Sequence, residues 1–83
     1  MTLKEAISRR IKDLCKEKGI SGYALAAKCS KDKSSVYSII NGRTNRPMVR
    51  TIMRFCIALD ITLAHFFDTD VFNNLELSDI YDI

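Results

Sequence analysis

The chain has 83 residues, 47% of them hydrophobic and 28% charged, with a formal net charge of +3. That is enough for one domain and not two, it is too apolar for a disordered chain, and its apolar runs fall far short of the ~20 residues a membrane-spanning helix needs. The opening Met1-Thr-Leu-Lys-Glu lacks the apolar stretch of a secretory leader, so the expected location is the cytoplasm.

A first helix is predicted over residues 3–18, where Leu3, Ile7, Ile11, Leu14 and Cys15 recur at helical spacing. Thr2 and Glu5 have the spacing of a capping box, and Gly19 follows the basic last turn as a stop. Ser21 caps a short second helix, about 22–28, in which Ala26 and Ala27 are expected to allow close approach of a neighbour. Asp32 caps a third, about 33–41, buried through Val36, Ile39 and Ile40 and stopped at Asn41-Gly42. After a polar loop ending at Pro47, a fourth helix spans about 49–59, with Val49, Ile52, Phe55, Cys56 and Leu59 on its inner face. Thr62 caps a fifth that ends near Phe67-Asp68, with Leu63, Phe66 and Phe67 inward. Beyond Asp70 the pattern weakens. The apolar residues there, Val71, Phe72, Leu75, Leu77, Ile80, Tyr81 and Ile83, must pack back or meet a partner. The division expected is a folded domain over 1–68 and a 69–83 acidic, apolar extension, with self-association the role expected of the extension.

Charge is segregated along the chain. All 13 Lys and Arg lie in residues 1–54 against four acids, giving +9; residues 55–83 hold six acids and no base, giving −6. A basic body with an acidic end points to a polyanionic partner for the body. The three cysteines are widely spaced, without a C-x-x-C pair, and read as free, buried thiols. His65 is the only histidine and has no ligand-spaced companion, so it reads as a surface residue. No nucleophile motif or Gly-rich phosphate loop is present, and no enzyme, metal, cofactor or small-molecule ligand is expected.

Two short helices across a tight turn form the helix-turn-helix arrangement, in which the second helix enters the major groove and the first crosses the backbone. With Val36 and Ile39 anchoring the second helix, Lys33, Ser34, Ser35, Tyr37 and Ser38 project outward. No acid accompanies them, and their donors and acceptors suit base edges. The loop residues Asn41, Arg43, Thr44, Asn45 and Arg46 suit phosphate contacts.

Five stretches carry a family resemblance: Ile20-Ser-Gly-Tyr-Ala-Leu-Ala26, Val36-Tyr-Ser-Ile-Ile-Asn-Gly-Arg-Thr44, Pro47, Thr51-Ile-Met-Arg-Phe-Cys-Ile-Ala-Leu59 and Ile61-Thr-Leu-Ala-His-Phe-Phe67. In order and spacing they resemble the Cro/lambda-repressor-like (XRE-type) helix-turn-helix regulators over residues 5–68. The resemblance implies an all-α, five-helix fold, a homodimer on an inverted-repeat operator, and transcriptional control, with repression the expected sense. It also implies backbone contacts from the start of the first motif helix, at Ser21, Gly22 and Tyr23.

The chain departs from the family pattern at Gly22, where a phosphate-clamping Gln is frequent, and at Cys29-Ser30, where the turn often has Gly. Arg46 is an additional basic loop residue, and Met48 replaces a capping Ser or Thr. The alternative reading is an antitoxin-like or other protein-interaction module on the same fold. RNA binding is disfavoured because Tyr23 and Tyr37 are isolated rather than a stacking platform.

Overall fold

The computed structural model describes residues 1–29, 33–44 and 47–80, with the side chains of Lys33 and Ser35 outside the described set. The expected cap Asp32, the connection residues Ser30 and Lys31, the loop residues Asn45 and Arg46, and Tyr81, Asp82 and Ile83 also lie outside it.

The described residues are all-helical. α1 spans Leu3–Lys18, α2 Gly22–Cys29, α3 Lys33–Ile40, α4 Val49–Leu59 and α5 Leu63–Phe67, followed by the single turns α6, Asp70–Asn73, and α7, Leu77–Ile80. The five expected helices are present with ends shifted by at most one residue. Asn41 still donates to the Tyr37 carbonyl, at 2.9 Å, so the end of α3 differs from expectation only by convention.

Local chemistry accounts for most helix ends. Thr2 Oγ1 accepts from the Glu5 N–H at 3.3 Å, while the Thr2 N–H and hydroxyl donate to the Glu5 carboxylate at 3.2 and 2.8 Å, closing the capping box. Ser21 Oγ accepts from the Ala24 N–H, and Thr62 Oγ1 from the His65 N–H, each at 3.0 Å. Met48, the residue ahead of α4, makes no side-chain cap.

α1, α3 and α4 stop in the same way. Gly19, Gly42 and Asp60 adopt φ of 67, 70 and 57°. In each case the next residue's N–H reaches back to a last-turn carbonyl: Ile20 to Cys15, Arg43 to Ser38 and Ile61 to Cys56. Asp60 does this without being glycine, as Asp tolerates the left-handed region better than most residues.

The core joins Ile7, Ile11, Leu14 and Cys15 of α1 to Leu25 and Ala26 of α2 and to Val36, Ile39 and Ile40 of α3. α4 adds Ile52, Phe55, Cys56 and Leu59, and α5 adds Phe66. Each such large apolar side chain contributes about 1.5–3 kcal/mol on burial. Phe66, Phe67 and Phe72 form a ring cluster with centroids 4.9–6.2 Å apart, so α6 is drawn back onto the domain.

Two expected core positions are corrected. Val49 is 60% exposed. It stands in the first turn of α4, in an i, i+4 series with Met53 and Ile57 that drifts away from the inner face by about 40° per step. Ala27 is exposed as well; of the two alanines only Ala26 is buried in the core. The close approach is made one turn earlier, at Gly22, where a Cβ would lie 3.3 Å from Ile40 Cγ2.

Two long-range hydrogen bonds lock the helices together. The buried Ser8 hydroxyl of α1 donates to the Ile40 carbonyl at the end of α3. Arg10 donates from Nε to the Phe66 carbonyl and from Nη2 to the His65 carbonyl, both at 2.7 Å. That guanidinium satisfies last-turn carbonyls of the five-residue α5 and complements its dipole.

Candidate nucleic-acid interface

α3 is fixed from beneath. Val36, Ile39 and Ile40 are buried in the core. Its last turn is held by the Ser8 hydroxyl and by Gly42, where an added Cβ would press to 3.3 Å of Ser8 Cβ. Glycine is required at position 42 both for its φ and for this proximity.

The opposite face of α3 is open. Ser34, Tyr37, Ser38 and Asn41 follow an i, i+3, i+4, i+7 progression and so share one side of the helix. Together with Tyr23 from α2 and Arg43 from the following turn they line an open groove of about 410 Å³. Tyr23 and Tyr37 are exposed, Ser38 and Asn41 are half-buried, and Arg43 extends to solvent. Among the described residues no acid lines the groove. Eight residues of α3 span about 12 Å, a length that a B-DNA major groove about 12 Å wide accommodates.

Six of the sequence-predicted residues are thus brought together. Tyr23, expected only at the phosphate backbone, shares the groove with the expected base-reading residues. Thr44 is half-buried and does not line the groove. Ser21 is exposed, but its oxygen already accepts the Ala24 N–H, leaving its hydroxyl hydrogen for a partner. Gly22 faces Ile40, so a clamping side chain at that position would be directed into the α2–α3 contact. Lys33 and Ser35 have no described side chains, and Asn45 and Arg46 lie outside the described residues.

Sequence reasoning missed Ser8 and Arg10. Neither touches the groove; Ser8 sets the position of α3, and Arg10 ties α1 to α5. A serine on the apolar side of the first helix was the one available signal for Ser8.

The thiols show no activation. Burial pushes the Cys15 and Cys56 thiols up; it does the same at Cys29, against a smaller opposing pull from nearby Arg54. His65 is exposed. Among the described residues no group of three His, Cys, Asp or Glu could hold a metal, and no helix is long and apolar enough to cross a membrane.

A short helix anchored from below, its polar face turned outward beside a second short helix, defines a helix-turn-helix DNA-binding domain. A family model for the Cro/C1-type HTH DNA-binding domain matches residues 10–70, and the chain belongs to that family. No curated protein and no solved structure matches it.

Proposed function

We propose that the protein is a sequence-specific transcriptional regulator, acting as a repressor, that binds double-stranded operator DNA as a homodimer with α3 in the major groove. The observation that carries this reading is the acid-free strip of Ser34, Tyr37, Ser38 and Asn41, flanked by Tyr23 and Arg43. Lys33, Ser34, Ser35, Tyr37 and Ser38 read base edges. Ser21, Gly22, Tyr23, Asn41, Arg43, Thr44, Asn45 and Arg46 contact phosphate and fix register.

A module this small makes few contacts, and a two-fold dimer on an inverted repeat doubles them. Repression requires only occupancy of the site. In this reading residues 1–68 are the DNA-binding unit, 69–83 serve self-association, and the protein works in the cytoplasm without catalysis, cofactor or small-molecule ligand.

The test is selection of bound duplexes from a random pool at near-physiological salt, followed by sequencing. An enriched inverted repeat supports the reading, and its half-site spacing gives the dimer geometry. Retention that is salt-sensitive but without sequence enrichment overturns it.

A further inference from the structure

Among the described residues two apolar surfaces stand exposed, and they are complementary. The first lies on α4. Val49, Met53 and Ile57 form an apolar stripe, with Ile57 74% exposed. Arg50 and Arg54, both exposed, follow it one residue on. Between α4 and the end of α2 a groove of about 440 Å³ is lined by Lys28, Cys29, Arg54, Ile57 and Ala58. That lining combines two cations, Lys28 and Arg54, with the apolar Ile57 and Ala58, and among the described residues it includes no acid.

The second surface is the C-terminal turn α7. Leu77 is 70% and Ile80 47% exposed. They stand three residues apart, on one side of a helical turn. Their charged neighbours are Glu76, Asp79 and, further on, Asp82, within a region that holds no Lys or Arg. The acidic, apolar element therefore matches the basic, apolar groove in both character and sign.

We propose that the two surfaces meet between copies: the 75–80 segment of each protomer lays Leu77 and Ile80 against Ile57 and Met53 of a second copy, with Glu76 toward Arg50, Arg54 and Lys28. The inference rests on the homodimer reading above and supplies the surfaces that make it. A single segment on a single helix is small against the about 1,200–2,000 Å² of a stable interface. A two-fold axis makes the exchange reciprocal, so that each association contains two such contacts. The ion pairs lie at the rim, where they select the partner and speed encounter more than they add affinity.

The experiment is a charge exchange on the full chain, read by sedimentation equilibrium and native mass spectrometry without DNA. One variant carries Arg50→Glu and Arg54→Glu. The other carries Glu76→Lys, leaving Asp79 in place because its carboxylate accepts the Glu76 N–H at 2.8 Å. Each variant alone sets like charge against like and is expected to dimerise at least tenfold more weakly than the wild-type chain.

Mixed in equal amounts, the two variants have complementary charges at both contacts, and a heterodimer is expected to form preferentially. Simple damage to α4 or α7 weakens each variant but cannot create that preference. Wild-type protein that stays monomeric, variants that dimerise as well as wild type, or a mixture without heterodimer overturns the proposal. None of these readouts involves DNA, so an operator found by selection stands or falls separately.

Discussion

Replacing Ser8 with alanine removes one hydroxyl and leaves the Cβ that faces Gly42 in place. The lost group is the donor to the Ile40 carbonyl, in the last turn of α3, where carbonyls have no partner within the helix. Ser8 is buried, so water does not readily replace it. An acceptor stranded in this way costs about 1–3 kcal/mol. The whole stability of a chain this size is about 4–12 kcal/mol, so the loss is a substantial fraction. At about 4–8 °C per kcal/mol for a domain of this length, Tm falls by about 4–24 °C. Reversible thermal unfolding followed by far-ultraviolet circular dichroism measures this, with the exposed Ser78→Ala as the control expected to change nothing. Specific DNA affinity well below the transition falls less, because Val36, Ile39 and Ile40 still anchor α3. A Ser8→Ala protein melting within about 1 °C of wild type refutes the claim that this bond fixes the end of α3.

Arg10→Met keeps an apolar stem and removes both donors to α5; with the guanidinium only partly buried, a loss of about 1–2 kcal/mol is expected in urea unfolding. The Glu5 carboxyl is held below the usual carboxylate range, first by the Thr2 hydroxyl and then by the Thr2 backbone N–H. Its contribution is therefore complete above the unfolded-state pKa and is lost as pH falls through the depressed native one. The stability difference between wild type and Glu5→Gln should be flat near neutrality and close on acidification; a difference that grows in acid contradicts the capping box. Tyr37→Ala and Arg43→Ala should separate two kinds of contact in binding isotherms taken across a salt series. The first is expected to cost about 1–3 kcal/mol on the selected operator and little on random duplex. The second should weaken both and lower the salt slope by about one. An Arg43→Ala slope equal to wild type removes that residue from the phosphate contacts.

Helix ends are legible here because each is decided within one turn. Thr2 with Glu5, Ser21, Thr62, Gly19 and Gly42 all act on backbone groups no more than five residues away. Asp60 behaves like those glycines, yet it looks like any acid that follows an apolar run. Helix faces are legible at their centres and less so at their edges, as Val49 and Ala27 show: periodicity gives an angle, but burial also requires a neighbour at that height. The polar strip from Ser34 to Asn41 can be read from spacing. Its meeting with Tyr23 cannot, since that depends on how α2 and α3 cross, and the crossing depends on Gly22 against Ile40. Ser8 and Arg10 were out of reach for a plainer reason. Their partners lie 32 and 55–56 residues further along the chain.

The Arg10 contact has a consequence for biosynthesis. Its acceptors at His65 and Phe66 are made 55 and 56 residues later, and the core also waits for the Phe66 ring. At translation rates of about 5–20 residues per second that interval is about 3–11 s. During it the nascent chain consists of the cationic portion, up to +9 by residue 54, with α1 unable to complete its packing. Five of the six acidic residues that offset this charge, from Asp68 onward, are made only afterward, so on the ribosome the polypeptide is a basic, incompletely folded chain beside a polyanionic RNA before it is a domain.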